Sequence, residues 1–328
     1  MLAGCGGSNA IPLAFSNVGA ASVASKGAAA DKRASYLYVA NWGFGSGGYV
    51  YIFLRDNPSK GVVGKIRNGV STPDGIFIDT HGNLYVTNGN LSGRESVEMY
   101  AKGGHKPIRI YTGALCAFDV IAADDGTVYI ADACGGPHTR GRVLVYPPGK
   151  TKPSRSFFPG GSPYCLTLDA KNNLYVGYNS IGSYVGQVKK YRPGAKDGVT
   201  LLPPNTVYFV TGLAVDEQGQ LLVANSEGGV IDVFKGKDHA PTRVIKTGQR
   251  NPHMVAFDRR EDTLYVSDAC FVGGVKPLTS SGCAGPGRTN TVVALDYASG
   301  KRLWTLRGSP RAPDFRPTGV AVTPSAPF

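Results

Sequence analysis

Two short apolar runs on either side of a polar turn recur along the chain. The clearest copy is Gly75-Ile-Phe-Ile-Asp79, a turn, then Leu84-Tyr-Val-Thr-Asn88. The pair returns as Val120–Asp124 with Val128–Asp132, and as Cys165–Asp169 with Leu174–Tyr178. It returns again as Gly212–Asp216 with Leu221–Asn225, and as Met254–Asp258 with Leu264–Asp268. The aspartates closing the first runs stand 45, 45, 47 and 42 residues apart. Short apolar runs around turns such as His81-Gly-Asn and Asp125-Gly predict β-hairpins. The runs are apolar on both faces, which predicts sheets sandwiched between neighbours.

A third run follows each hairpin: Val50–Phe53, Val97–Tyr100, Val143–Tyr146, Val188–Tyr191, Val230–Phe234 and Val292–Leu295. A fourth is weaker and more basic, as in Lys106–Tyr111 and Pro241–Lys246. Cationic side chains on an outermost strand oppose sheet-to-sheet pairing. A sixth hairpin is divided, with Gly319–Thr323 near one end of the chain and Leu37–Asn41 near the other. A repeat of this period predicts an all-β, six-bladed β-propeller of four-stranded antiparallel blades. Its last blade is closed by the N- and C-terminal strands. The propeller is expected over residues 34–328, and residues 1–33 are set apart from it.

Composition agrees. Gly and Pro number 45 and 22 while charged residues are 18%, as many turns between short strands require. No apolar run reaches the length of a membrane helix. The net charge is +12, but the basic residues are scattered and none forms a run interleaved with aromatics. This disfavours nucleic acid as a partner. Much of the charge falls on the outer strands, where it protects edges and aids solubility.

Leu2-Ala3-Gly4-Cys5 resembles the bacterial lipobox, in which the cysteine is lipidated. A secretory leader needs more than four residues before that cysteine, so a start placed too late or a trimmed leader is expected. The rest of 1–33 is small and polar, as a flexible tether would be. The resemblance implies an extracytoplasmic lipoprotein, in the periplasm or at the cell surface, held to the membrane only by Cys5.

Pro73-Asp-Gly-Ile-Phe-Ile-Asp-Thr-His-Gly-Asn-Leu-Tyr-Val-Thr-Asn88 closely resembles the NHL repeat. It is also similar to blades of the senescence-marker-protein/gluconolactonase group. The likeness runs through nearly all of 34–328 and implies the fold, but propellers host many unrelated activities. In the gluconolactonase group a divalent ion sits in the channel on a Glu, Asn residues and an Asp. Asp74 matches that Asp by its Pro-Asp-Gly setting, whereas the group's other ligand motifs are absent.

Two rings are expected around one mouth of the channel. The residues before the first runs are Asp74, Asp119, Tyr164, Thr211, His253 and Thr318. The ends of the second runs are Asn41, Asn88, Asp132, Tyr178, Asn225 and Asp268. A concave polar mouth is a natural ligand site, although Asn and Asp at strand ends also cap turns. Asp74 and Asp132 are candidate ligands for a hard cation such as Ca²⁺. His253 could act as a base beside them. No nucleophile elbow, zinc-binding helix or phosphate loop occurs, so no catalytic residue is assigned.

Six cysteines are present. With Cys5 reserved for lipid, the blade register puts the other five on the mouth face. Cys270 and Cys283 bracket a Gly-rich insertion and are expected to form a disulfide. Cys134 is expected to pair with Cys116 or Cys165, leaving one thiol. The function expected is a monomeric, lipid-anchored binding module. It would present its mouth and the 269–290 loop to an envelope or extracellular ligand, glycan or protein. The alternative is a divalent-metal-dependent hydrolase or lyase of the gluconolactonase type.

Overall fold

The apolar runs pair edge to edge as antiparallel strands, in the order in which they occur. The computed structural model describes residues 35–43, 47–89, 95–134, 141–183, 185–258, 260–268, 290–308 and 315–323. Cys5 and the 1–33 tether, the Cys270–Cys283 pair and nearly all of the 269–290 loop lie outside the described residues.

Three strands near the N-terminus, β1 (Tyr36–Asn41), β2 (Tyr49–Leu54) and β3 (Val62–Ile66), begin one sheet. The second blade is β4 (Pro73–Ile78), β5 (Leu84–Asn88), β6 (Ser96–Tyr100) and β7 (Pro107–Thr112). The third is β8 (Ala117–Ala122), β9 (Val128–Asp132), β10 (Arg142–Tyr146) and β11 (Arg155–Phe157). The fourth is β12 (Ser162–Leu168), β13 (Leu174–Asn179), β14 (Val185–Tyr191) and β15 (Val199–Tyr208). The fifth is β16 (Val210–Val215), β17 (Leu221–Asn225), β18 (Val230–Phe234) and β19 (Arg243–Lys246). The sixth is β20 (Pro252–Phe257), β21 (Thr263–Asp268), β22 (Val292–Asp296) and β23 (Arg302–Leu306). The last strand, β24 (Pro317–Val322), returns to β1 and makes the first sheet four-stranded.

That return closes the ring. Leu37 pairs with Val322, Val39 with Val320 and Asn41 with Pro317. The Thr323 N–H adds a bond to the Tyr36 carbonyl at 2.8 Å. The inner strands touch in the order β24, β4, β8, β12, β16, β20 and back to β24. The protein is thus an all-β, six-bladed propeller.

Burial explains the unbroken apolar runs. Every residue of β5, β9 and β13 is buried, because each strand is covered by a blade on both faces. Six apolar clusters are found among the described residues, one at each contact between adjacent blades. The contact between the sixth and first blades shows the pattern, with Tyr265 and Ala294 packed against Leu37, Tyr51 and Phe53. No blade has a core of its own, so the ring holds only when all six are present.

Candidate functional site

The repeated Asp at the end of each first run has a local task. Asp79 Oδ1 accepts the N–H groups of His81 at 2.9 Å and Asn83 at 2.8 Å. Its Oδ2 accepts the Asn83 amide and the Tyr85 hydroxyl. Asp169 does the same for Lys171, Asn173 and Tyr175, and takes a further bond from Lys190 Nζ at 2.8 Å. These carboxylates hold the hairpin turns on one face of the disc, as Asx turns do elsewhere.

The opposite face carries the two expected rings. Each inner strand contains a β-bulge at its start, where the register with the second strand slips. The bulged residues are Asp74, Phe118, Tyr164, Thr211, His253 and Thr318. Asp119 does not occupy this position in the third blade. It pairs with Ala131, while Ala117 pairs with Asp132, so the bulge falls on Phe118. The turn has the same length, but its Asp stands one position later in the third blade. Asp79, Asp169 and Asp216 stand five positions before their second strands, whereas Asp124 stands four before Val128. Ala123, not Asp124, occupies the turn position of Asp79. That spacing was the signal that could have corrected the register from the sequence.

The bulged ring has an aromatic half and a polar half. The Phe118 and Tyr164 rings lie 4.5 Å apart, and Tyr164 meets Phe209 at 5.4 Å. Across the ring, Thr211 donates to the Pro252 carbonyl at 3.0 Å, and Thr318 to the Pro73 carbonyl at 2.9 Å. His253 Nδ1 lies 2.9 Å from the Thr318 carbonyl and 3.9 Å from Asp74 Oδ1. Asp74, Thr211, His253 and Thr318 are all buried.

One residue further along, the inner strands close in on each other. A Cβ at Gly319 would overlap the Asp74 carbonyl oxygen, and one at Gly212 would overlap that of His253. At Gly75 it would meet the Phe118 carbonyl and Asp119 Oδ1 at 2.6 Å. Glycine is required where backbones approach this closely. Asp119 stands at the equivalent position in the third blade and ties it to the fourth. It accepts the N–H of Val120 and, across the blade boundary, that of Leu166, both at 2.8 Å.

A channel of about 640 Å³ runs along the inner strands. Asp119 lies at its closed end, and the exposed turn residues Lys171, Glu217 and Gln218 lie at its other end. Asp74, Thr211, His253 and Thr318 do not line it. The residues of this channel reach the face of the hairpin turns, and the two rings named from the sequence lie toward the other face. It runs past Ile76, Val120, Leu166, Leu213 and Val320, whose side chains are buried between the blades. Its open end carries Asp169, Tyr175, Lys190, Asp216, Glu217 and Glu261, which the sequence reading had not placed together.

In the second ring Asn41, Asn88, Asp132, Asn225 and Asp268 each pair with the first residue of their inner strand, and Tyr178 pairs with Pro163, the second residue of β12. Three members accept hydrogen bonds from the loop that leads into that strand. Asn41 Oδ1 accepts the Arg316 N–H, and Asn88 Oδ1 that of Ser71. Asp132 Oδ1 accepts the N–H groups of Leu115 and Cys116, and its Oδ2 pairs with Arg142 Nε at 2.9 Å. Asp268 faces the N–H groups of Arg250 and Asn251. Asn225 instead accepts from Gly228 and donates to Asp232, and the Tyr178 hydroxyl donates to Gln187.

Burial sets the protonation of these groups. It pushes Asp74 well above the ordinary carboxylate range, and neighbouring Asp119 adds to the shift. Burial raises Asp119 to about 7 against the pull of its two N–H donors. Asp268 is likewise raised to about 7, and His253 is lowered to about 4. The Asp74–His253 contact thus joins two neutral groups at neutral pH.

The donor set does not fit Ca²⁺, which takes six to eight oxygens around one point. Both oxygens of Asp132 are engaged by N–H groups and Arg142, and both of Asp119 by backbone. Among the described residues no group of three or more His, Cys, Asp or Glu is arranged for a metal. Asp74 and Asp132 accordingly share no partner: Asp132 is tied into its own blade, and Asp74 faces His253 of the sixth.

Cys116 and Cys134 form a disulfide joining the start of β8 to the end of β9. Cys165 does not lie at the surface of the mouth. It is fully buried in β12 as a free thiol, because its side chain fills the space left by Gly177.

No family model and no curated protein matches the chain. Many solved structures share its architecture, two of them as follows. A chain in the crystal structure of a nidogen/laminin complex superposes with a TM-score of 0.63 at 15% identity, covering 89% of this chain and 99% of that one. A protein of unknown function from Bacteroides caccae superposes with a TM-score of 0.61 at 15% identity, covering 88% and 98%. At that identity the likeness shows the fold alone.

Proposed function

We propose that this chain is an extracytoplasmic binding module that takes its ligand into the propeller channel from the face of the hairpin turns. The channel itself carries the reading. It has the volume of a small-molecule site and a charged rim. The opposite face, with its Asp and Asn ring, is engaged in holding loops. The Cys116–Cys134 bond supports a location outside the reducing cytosol. Lipid attachment at Cys5 would then hold the propeller at a membrane surface, and the repeat's resemblance to NHL blades agrees with a recognition role.

A thermal-shift screen with a fragment library tests the reading. Stabilising fragments are expected for the parent protein and for Asp132→Asn, and they should be lost in Ala256→Trp, which fills the channel. Fragments that still stabilise Ala256→Trp, or no stabilising fragment at all, would overturn it.

A further inference from the structure

The outer rim of the propeller carries charge of one sign. The edge strands β3, β7, β11, β15, β19 and β23 contain no Asp or Glu, and all but β15 contain Lys or Arg. The chain as a whole carries +12, so an approaching anion meets an attractive field. Protection of sheet edges accounts for scattered cations of this kind. It does not account for how two of them are held.

Lys65 of β3 and Arg67, one residue past its end, stand two apart and so leave the same face of the first blade. Lys65 Nζ lies 4.1 Å from the centre of the Tyr49 ring and 4.6 Å from that of Tyr51. The Arg67 guanidinium lies 5.1 Å from the Tyr49 centre. One tyrosine thus holds two cations. Four other cations stack on rings among the described residues, and each also donates to an oxygen. Arg155 donates to the Ala195 carbonyl, Lys189 to that of Pro159, Lys190 to Asp169 and Arg243 to the Tyr297 carbonyl. Among the described residues Lys65 and Arg67 donate to no oxygen, and no carboxylate pairs with either. Burial lowers Lys65, and neighbouring Arg67 lowers it further. Two like charges held side by side repel, and a bound anion relieves that repulsion.

We propose that Lys65 and Arg67 bind a phosphate monoester, with Tyr49 holding the two cations in place for it. A phosphate monoester is a dianion above a pH of about 6, which matches the two charges. The guanidinium fork suits a pair of phosphate oxygens, and the ammonium adds a point charge. None of the three residues lines the channel, so this site is separate from the one proposed there. The same chemistry is offered by a soluble phosphorylated sugar or polyol and by the headgroup of phosphatidic acid.

Two assays on the full chain at pH 7.5 test this. Calorimetry compares glycerol 3-phosphate with methyl sulfate, and flotation compares phosphatidylcholine vesicles with and without phosphatidic acid. Glycerol 3-phosphate is expected to bind about ten-fold tighter than methyl sulfate, the worth of one more charge-assisted contact. Lys65→Gln with Arg67→Gln should lose at least that factor. Lys106→Gln with Arg109→Gln removes equal charge at β7 and should change affinity by no more than about two-fold, as screened distant charges do. Tyr49→Leu should weaken binding while Tyr49→Phe, which keeps the ring, should not. Binding of glycerol 3-phosphate without the vesicles supports a soluble ester, and flotation that needs phosphatidic acid supports the headgroup. Binding in neither assay, or equal losses in the two double variants, would overturn the site. Either failure leaves the channel reading standing, since that rests on the fragment screen.

Discussion

His253 Nδ1 lies 3.9 Å from Asp74 Oδ1, although 179 positions separate the two residues in the chain. They belong to the sixth and second blades and meet across Thr318 of the divided first blade. Their approach is therefore a direct product of ring closure. Both are buried, and the contact is neutral because desolvation outweighs what a single charge partner returns.

Acidification should stabilise this protein before it harms it. Asp119, Asp268, Glu95, Glu98 and Glu261 are each raised to about 7, with burial the leading cause, and burial raises Asp74 as well. Each binds its proton more tightly folded than unfolded, so its contribution is present at low pH and lost as pH rises from about 4 through about 7. His253, lowered to about 4, acts in the opposite sense between 6.5 and 4, but it is one group against six. The melting temperature at pH 5.5 is expected above that at pH 8. Asp74→Asn, which removes one of the opposing charges, should flatten the slope. A melting temperature that falls steadily from pH 8 to 5.5 would show that burial does not govern these carboxyls.

The disulfide should matter to stability more than its exposed position suggests. It closes a loop of 18 residues, worth about 3 kcal/mol by chain entropy. Changing Cys116 and Cys134 together to Ser is expected to lower denaturant stability by that order. The parent protein under reducing conditions should behave likewise. Equal unfolding midpoints with and without reductant would contradict the assignment.

Gly319→Ala should be severely destabilising. The added methyl would meet the Asp74 backbone carbonyl, which cannot move without opening the ring, and overpacking of this kind costs about 3 kcal/mol. Gly64→Ala is the control. There the nearest atom is the terminal Cδ1 of Ile52 at 3.1 Å, which can rotate away, and a change of about 0.5 kcal/mol or less is expected. Comparable urea midpoints for the two variants would mean that the inner strands are not tightly apposed.

Tyr297 replaces a missing partner from the neighbouring blade. In the second and fourth blades the turn Asp accepts a hydroxyl from Tyr85 or Tyr175 of its own second strand. The fifth blade has Leu222 there, and Tyr297 of the sixth donates to Asp216 at 2.8 Å instead. Tyr297→Phe is expected to cost about 1.5 kcal/mol, as for a bond to a charged acceptor. The double variant Tyr297→Phe, Leu222→Tyr should recover part of the loss by urea unfolding. Recovery in neither stability nor midpoint would separate the hydroxyl from the blade contact.

The fold was legible because it follows from local periodicity. Runs such as Leu84–Thr87 and Val128–Ala131, their spacing, and the divided copy at Leu37 and Gly319 define both the blade and the closing partner. The second ring was legible too, since Asn41, Asn88, Asp132, Tyr178, Asn225 and Asp268 are read from strand ends alone. The first ring was less so. Asp119 resembles Asp74 in sequence, yet the Asp of its turn stands one position later than Asp79 does, so Asp119 falls on the position of Gly75.

What the amino-acid order determines by itself is the hairpin, the number of blades and the place where the ring shuts, because each depends on residues close in sequence or on matching apolar runs. Which face of the disc the channel reaches was decided only in three dimensions. The constriction arises where Gly75, Gly212 and Gly319 let one inner strand press on the next, and Asp119, Glu217 and Glu261 share a channel only because six separate strands are wrapped around it. Such convergence depends on backbone distances between blades, and those exist only once the whole ring has formed.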